Sequence, residues 1–546
     1  MGKTCTDLFA GIDCTVIGNA DEEVGGIAYR SDRVQPGDAF FCIVGLTADG
    51  HSFAQDAIDR GAKVLVVERK VYLADATDVT EVVVADTRKA MAAASANFYD
   101  HPSKDFSLVG ITGTNGKTTT TYLVEHIAHV AGKRTGVIGT VGVRIGGAAE
   151  KTAHTTPESP DLQQLLARMR DERCDVVAME VSSHALDLER TWGTTFAVTA
   201  FSNLTQDHLD YHHTFEAYFE AKARLFSKDY PAKRVICIDD KWGKELLRRC
   251  STNEDSIVTT GFDTSAQIHP VDVRYAPTHT TVELDVRGSR YRFDYPLVGR
   301  FNVENVMCAF GIGLQLGFSP SVIVEALEEA PQIPGRLERV SVPCDGGVSV
   351  FVDYAHTPDA LEKALASIMA LTRGRTICVF GCGGDRDASK RSIMGKAALA
   401  ADFAVVTSDN PRHEDPLAII DDIVGGMGAG QGRFAVEPDR RAAIALALAH
   451  AKPDDSVLIA GKGHEDYQLV GDEVLSFDDR VVAAEELNRA FGGLLDDADA
   501  AASRSTGSCD ADRGSRSEVR YASASPAISG TAETLADPYG QASGEN

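Results

Sequence analysis

The sharpest chemistry in this chain is a glycine-rich loop. Gly110-Ile111-Thr112-Gly113-Thr114-Asn115-Gly116-Lys117-Thr118-Thr119 lies between a β-like run, SLVGIT (107–112), and a helical pattern continuing through His129. Glycines let backbone N–H groups turn toward phosphate oxygens, and a helix N-terminus adds positive potential. Lys117 is placed to reach terminal phosphates, and the Thr118 hydroxyl suits Mg²⁺. The spacing departs from the usual G-x4-GK-[ST] pattern: counting back from Gly116, the first position is Ile111, with Gly110 one residue early. Strand, GKT and helix occurring together favour phosphate binding over a turn with a chance lysine. By itself the loop implies ATP or GTP and no particular reaction.

Three further groups have types that suit phosphoryl chemistry. Glu180 ends the apolar run DVVAME, where an acidic Mg²⁺ ligand or water-orienting group sits in many P-loop proteins. Asp207 and His208 follow a second apolar run, AVTAFSNL (197–204). A lone histidine is more often structural, but ligands of open α/β sheets bind beyond the strands' C-terminal ends. Lys222, within FEAYFEAKARLF, reads by default as a solvated helix residue.

The elements that must position these groups alternate. VLVVE (64–68), SLVGIT, DVVAMEV (175–181), AVTAFSNL, ICVFG (377–381), FAVVTSD (403–409) and SVLIAG (456–461) read as buried parallel strands separated by amphipathic helices. That pattern predicts an α/β fold whose parallel sheets are covered on both faces. His101-Pro102-Ser103-Lys104 and Pro331-Gln332-Ile333-Pro334-Gly335 mark boundaries, giving units of 1–104, 105–337 and 338–493. The remainder, 494–546, is rich in Ala, Ser, Gly and Asp and is expected to be a disordered tail, because it offers too little apolar surface to offset its ordering entropy.

Composition narrows the partners. Of 546 residues, 54 are Lys or Arg and 80 Asp or Glu, a formal charge of −26, which argues against nucleic acid or anionic membranes as partners. No apolar run approaches the roughly 20 residues of a membrane span, and no signal-peptide pattern opens the chain. The eleven scattered cysteines form no CxxC pair and suit reduced thiols in a cytoplasm.

Taken together, GITGTNGKTTT (110–120), EVSSHAL (180–186), FSNLTQDHLDYH (201–212), GRFNVENVMCA (299–309), PGRLE (334–338), VDYAHTPDAL (352–361), GCGGDRDASKRSIMG (381–395), SDNPRHEDP (408–416) and AGKGHEDYQ (460–468) resemble the Mur ligases, ATP-dependent amide ligases of peptidoglycan synthesis. The resemblance covers about 1–493 and is strongest to the branch adding the third stem-peptide residue. It implies an N-terminal α/β domain for the UDP end, a central P-loop ATPase domain with a parallel sheet, and a C-terminal Rossmann-like domain for the incoming amino acid.

It also implies roles. Gly113, Thr114, Asn115, Gly116, Lys117, Thr118 and Thr119 would bind ATP, with Asn302 and Asn305 toward its adenosine end and Arg336 and Asp353 nearby. Thr118, Glu180, His208 and a carbamylated Lys222 would place Mg²⁺; a carbamate offers oxygen ligands where an ammonium would repel the metal. Lys117, Glu180, His208 and Lys222 are the implied catalytic set. Ser31, Leu46, Thr47, Ala48, Thr155, Thr156, Ser182 and Arg190 would contact the UDP-muramoyl peptide. Two departures stand out: Arg30-Ser31-Asp32 replaces the common Asp-Ser-Arg, and Leu188 stands where some relatives carry a glutamine.

The added amino acid follows from Asp409-Asn410-Pro411-Arg412, the form of the motif that accompanies meso-diaminopimelate. This substrate differs from lysine by a second carboxylate, which a guanidinium's planar fork suits. Arg386 and Arg412 are the candidate forks, with Gly461 and Glu465 at the distal end and Glu465 meeting the ammonium. Read alone, Arg412 would be a surface arginine opposite Glu414 or Asp415. The implied reaction is phosphorylation of the D-glutamate carboxylate by ATP, then attack by the amine, in a monomer. Alternatives are the same reaction with L-lysine or another diamino acid, a folylpolyglutamate synthase, or a P-loop regulatory protein.

Overall fold

Among the described residues, buried strands alternating with helices build three large successive sheets, beside two small two-stranded ones. A computed structural model of the chain describes residues 2–45, 48–71, 78–152, 154–250, 256–342, 345–428 and 432–491. Leu46, Thr47 and the expected tail, 494–546, lie outside these residues.

The first sheet has five strands, ordered Cys14–Ile17, Thr80–Val84, Val64–Val67, Ala39–Phe41 and Ile27–Ala28. Cys14–Ile17 pairs antiparallel, and the other neighbours are parallel. Ser31 and the segment around Ala48 follow the C-terminal ends of two adjacent strands, Ile27–Ala28 and Ala39–Phe41.

The second sheet has eleven strands. Its middle is parallel, in the spatial order Thr135–Gly139, Val176–Glu180, Ser107–Thr112, Val198–Phe201, Lys233–Cys237, Ile257–Thr260. Ser107–Thr112 is therefore flanked by the strands that end at Glu180 and Phe201. The phosphate loop, Glu180 and the Ser202–His208 segment all leave the sheet at one edge, where the direction of winding reverses.

Antiparallel hairpins extend both sides: Gly142–Ile145 with Ala148–Glu150, and Ile268–Tyr275, Thr280–Val286 and Ser289–Tyr295. The expected parallel sheet is thus mixed. In Thr280–Val286 every second residue is buried, the period-2 alternation of a strand with one dry face. Continuous apolar runs, which mark doubly covered parallel strands, do not reveal such strands.

Helix Lys117–Val130 opens with four consecutive threonines, Thr118–Thr121, poor helix formers because of their β-branching. Packing overrides propensity: all four are buried, and the helix lies against Val176–Glu180 and helices Arg300–Gln315 and Pro320–Glu328.

The third sheet orders Glu338–Val340, Ser349–Asp353, Ser456–Ala460, Thr376–Phe380, Phe403–Val406 and Phe434–Val436, parallel except for the first pair. Four loops leave its C-terminal edge, beginning at Tyr354, Gly381, Thr407 and Gly461. They carry the Arg386, Asp409–Arg412 and Gly461–Glu465 candidates. No helix among the described residues is long and apolar enough to cross a membrane.

Candidate active site

The phosphate loop closes at Gly116, whose φ of 87° caps helix Lys117–Val130 in the left-handed region that favours glycine. A Cβ there would also meet Asn305 Oδ1 at 2.2 Å. Asn305 Nδ2 donates to Asn302 Oδ1 at 3.0 Å, and Asn302 Nδ2 donates to the Val298 carbonyl at 2.8 Å. Asn305 therefore faces the loop, while Asn302 braces it from behind and lines no part of the cleft.

The loop is held from the neighbouring strand end. Asn115 N donates to Asn203 Oδ1 at 3.0 Å, Ser202 Oγ to the Asn115 carbonyl at 2.6 Å, and Thr114 N to the Asn203 carbonyl at 2.9 Å. The strand expected over 197–204 stops at Phe201: Ser202 N still donates to the Thr112 carbonyl, while its hydroxyl and Asn203 turn to bond the loop.

Lys117 Nζ donates to the carbonyls of Gly113 and Thr114 at 3.0 and 2.9 Å. Lys222 Nζ donates to the same Gly113 carbonyl at 2.8 Å and lies 4.6 Å from the Tyr218 ring centroid. Lys222 is 1% exposed, which corrects its default reading as a solvated helix residue. Burial first, and the neighbouring Lys117 ammonium second, push the Lys222 amine well below its ordinary range. Lys117 is also lowered by burial, with Glu180 and Asp207 opposing.

Glu180 is 1% exposed, and both its oxygens are held by one residue. Thr140 N donates to Oε1 at 2.8 Å and Thr140 Oγ1 to Oε2 at 3.0 Å. Gly139 makes room, since a Cβ there would meet Oε1 at 2.3 Å. Thr155 Oγ1 lies 3.1 Å from Thr140 Oγ1; Thr156 Oγ1 donates to the Glu180 carbonyl at 2.9 Å and accepts from Ser182 N at 3.1 Å. Arg190 reaches the Thr156 carbonyl at 3.0 Å and Glu158 at 2.8 Å. His208 stands at the rim in a left-handed backbone conformation, its ring 4.8 Å from that of His184. Burial and His208 push His184 down to about 4, so its imidazole is neutral at pH 7.

These groups share a cleft of about 300 Å³ lined by Thr114–Thr119, Thr140, Thr155, Glu180, Ser182, Asp207, His208, Phe301, Asn305, Arg336 and Asp353–Thr357. The last stretch belongs to the third sheet's edge, so residues far apart in sequence meet across one cavity. Arg336 Nη2 donates to Thr118 Oγ1 at 3.2 Å, its guanidinium lies over Tyr354, and its buried Nε has no partner among the described residues. Asp353 accepts from Leu337 N at 2.7 Å and Ala355 N at 2.8 Å, pinning the connection between the second and third sheets. No cluster of three or more His, Cys, Asp or Glu that could hold a metal by itself occurs among the described residues. Glu180, the Thr118 hydroxyl and His208 line one cavity beside the phosphate loop, a donor set that fits a Mg²⁺ completed by phosphate oxygens and water.

A second cavity, of about 480 Å³, is lined by Tyr29–Asp32, Phe40, Ile43, Gly45, Ala48, Gly50, Phe53, Arg88 and Glu158. It contains Ser31 and Ala48. Arg30 and Asp32 form a two-pronged pair at 3.0 and 2.8 Å, so the exchanged charges still bond across Ser31.

At the third sheet, Asp409, Asn410 and Pro411 are buried. Asn410 Nδ2 donates to Glu465 Oε2 at 2.9 Å. Gly461 has φ 118°, and a Cβ there would meet Asp409 Oδ2 at 2.6 Å. Arg412 is half-buried and donates to the Gly384 carbonyl at 2.8 Å. It does not pair with Glu414, which is held by Arg391, or with Asp415, which caps helix Pro416–Gly425. Arg386 is exposed and has no hydrogen bond or ion pair among the described residues.

Sequence reasoning missed three features here. Thr140 orients Glu180 and carries no motif of its own. Lys462, 0% exposed, donates to Asn410 Oδ1 at 3.0 Å; it sat inside AGKGHEDYQ, and its flanking glycines were the signal. Arg440 and Asp479 form a fully buried bidentate pair at 2.7 Å, and Arg440 also bonds the Ser408 and Ala460 carbonyls, bracing two site loops.

Comparison with known proteins agrees along the chain. Three family models match: "Mur ligase family, catalytic domain" over 23–102, "Mur ligase middle domain" over 111–313, and "Mur ligase, glutamate ligase domain" over 335–463. The chain is 44% identical over 484 residues to the UDP-N-acetylmuramoyl-L-alanyl-D-glutamate--2,6-diaminopimelate ligase of Syntrophomonas wolfei subsp. wolfei, covering 86% of this chain and 96% of that protein. It is 45% identical over 471 residues to the ligase of the same name from Gloeobacter violaceus, covering 86% and 95%. A solved structure of a UDP-N-acetylmuramoyl-L-alanyl-D-glutamate--2,6-diaminopimelate ligase superposes with a TM-score of 0.65 at 31% identity, covering 90% of this chain and 99% of that one. With its phosphate loop, its three sheets and relatives matched over nearly their full length, the chain belongs to the Mur ligase family.

Proposed function

We propose that this protein is an ATP-dependent ligase that joins meso-diaminopimelate to UDP-N-acetylmuramoyl-L-alanyl-D-glutamate in the cytoplasm, as a monomer. The observation that carries the reading is the shared cleft: the phosphate loop and Glu180 of one sheet face Arg336 and Asp353–Thr357 at the next, whose other loops carry Asp409–Arg412 and Glu465. Residues 1–104 take the UDP end, 105–337 the ATP and 338–493 the amino acid. The strands of the three sheets, between Cys14 and Val84, Ser107 and Tyr295, and Glu338 and Ala460, support that division.

Each group then has a task. A carboxylate attacking a triphosphate is charge meeting like charge, so neutralisation dominates the barrier. The loop amides, Lys117 and Arg336 supply it, and transfer gives an acyl phosphate on the D-glutamate. The amine attacks that carbonyl, and phosphate leaves. When bound, Mg²⁺ would draw charge from the phosphate oxygens, held by Thr118, Glu180 and His208. Lys222 is suited to carbamylation, since only a neutral amine adds CO₂ and burial beside Lys117 favours the neutral form. Ser31, Ala48, Thr155, Thr156, Ser182 and Arg190 orient the UDP-peptide, while Arg386 and Arg412 meet the second carboxylate of the amino acid.

Phosphate release tests the reading. It should require ATP, the UDP-muramoyl dipeptide and the diamino acid together, and hydroxylamine should trap an acyl species when the amino acid is left out. Release that ignores the dipeptide would overturn it.

A further inference from the structure

Lys462 is fully buried, with its ammonium 3.0 Å from Asn410 Oδ1, 3.4 Å from Glu465 Oε2 and 3.7 Å from Asp409 Oδ1. A lysine that gives up all contact with water needs compensating charge, and two carboxylates supply it. The converse matters as much. Without a cation beside them, burial and the repulsion of Asp409 would favour the protonated form of Glu465.

The surrounding groups leave this balance intact. Arg440, a second buried cation that also feels Asp409 and Glu465, is paired with Asp479. Tyr354, above Glu465, is pushed up by burial and by Glu465 and stays neutral. Tyr467, 5.6 Å from Lys462 Nζ, is likewise raised. His464 is pushed down to about 4 by burial and by Arg336 and Arg480 and is uncharged at neutral pH. Asp466 is taken up by Lys151, and Arg412 lies beyond Tyr467 on the Gly384 carbonyl. The cluster thus sets two carboxyl groups, Asp409 and Glu465, against one lysine.

We propose that Lys462 is a positioning residue for the amino-acid substrate: buried between Asp409 and Glu465 and bonded to Asn410, it holds these side chains in register so that the Glu465 carboxylate can meet the substrate's ammonium. The proposal rests on reading this cluster as the amino-acid site. Burial first and Asp409 second raise Glu465, while Lys462 holds it down. Removing Lys462 therefore raises it further and favours the protonated carboxyl, which meets an ammonium less well.

The test is steady-state kinetics of Lys462→Met and Lys462→Gln in the full chain, from about pH 7 to pH 9. At pH 7 the KM for meso-diaminopimelate should rise about tenfold or more in both variants, as expected for loss of a charged hydrogen-bonded partner. The KM for ATP should stay within about twofold. The ratio of variant to wild-type KM for the amino acid should fall as pH rises and Glu465 ionises. A merely structural lysine predicts a ratio flat with pH and an ATP KM that moves in parallel; that result overturns the proposal. Glutamine keeps a hydrogen-bond donor, so a Lys462→Gln enzyme indistinguishable from wild type would also overturn it, and this variant carries the test if the methionine variant does not fold. A wild-type enzyme that never consumes diaminopimelate would instead refute the underlying function.

Discussion

At the residue scale, the proposed amino-acid preference rests on two guanidiniums, and Arg412 is the one that the structure holds in place. Arg412 is fixed by its backbone, through Arg412 N on the Leu469 carbonyl, and by one Nη on the Gly384 carbonyl. It spends none of its charge on Glu414 or Asp415, so the fork is free to meet a carboxylate. Arg412→Ala should raise the KM for meso-diaminopimelate about 10- to 100-fold, the worth of a charge-assisted bond or two, and leave the KM for ATP unchanged. An unchanged KM for the amino acid in that variant would remove Arg412 from the specificity account. Lys222 makes a related point about legibility. Its helix, FEAYFEAKA, gives no sign that this lysine alone among its charged residues is buried. Only the fold brings it to a carbonyl 109 residues away in the phosphate loop. The family resemblance pointed to it; the local pattern pointed the other way.

At the element scale, the site is assembled from strand ends. The loop, Glu180 and the Ser202–His208 segment were legible because each follows an apolar run with an abrupt change to polar residues. The hairpins between Ile268 and Tyr295 were not, because their strands are half-exposed: charged residues in Arg–Asp and Arg–Glu pairs alternate with the apolar ones, so no continuous apolar run marks them. Thr140 was invisible for another reason: its partner, Glu180, lies 40 residues on, and the pairing depends on register between Thr135–Gly139 and Val176–Glu180. Helix Arg300–Gln315 carries a measurable cost of this assembly. Burial, with Asp239 beside it, pushes Glu304 up to about 7 against an ordinary 4.5. The folded chain therefore keeps a proton that the unfolded chain releases between these two values, and stability falls as pH rises through that window. Glu304→Gln should stabilise the protein by about 1–3 kcal/mol at pH 8, given about 1.4 kcal/mol for each tenfold change in proton affinity and partial solvent exposure. The gain should vanish by about pH 4, where Glu304 is protonated in both states. A gain independent of pH in denaturant titrations would show that Glu304 is not titrating in this way.

At the scale of the whole molecule, a chain of net charge −26 binds polyanions by concentrating its cations. Lys117 and Arg336 come from different segments and meet at one cleft, with loop amides between them. Net charge argues against a nucleic-acid surface, but not against a small phosphate enclosed by local donors. The three sheets matter because the reaction has three substrates. Their loops set the cavity around Ser31, the cleft at the phosphate loop and the Asp409–Glu465 cluster along one chain, which the proposed function assigns to the three substrates, with Glu158 held by Arg88 between the first and second sheets and Lys151 paired with Asp466 between the second and third. The proposed division into units was drawn from the Pro-containing segments at 101–104 and 331–335, which lie between the strands of the successive large sheets. The contacts across the boundaries were not legible, since each joins single polar residues far apart in the sequence. The central claim is that this assembly selects meso-diaminopimelate, and mass analysis of the product tests it most directly. With ATP, UDP-N-acetylmuramoyl-L-alanyl-D-glutamate and equal concentrations of meso-diaminopimelate and L-lysine, the tripeptide product should carry diaminopimelate almost alone. A product that carries lysine as readily, or no tripeptide at all, would contradict the account.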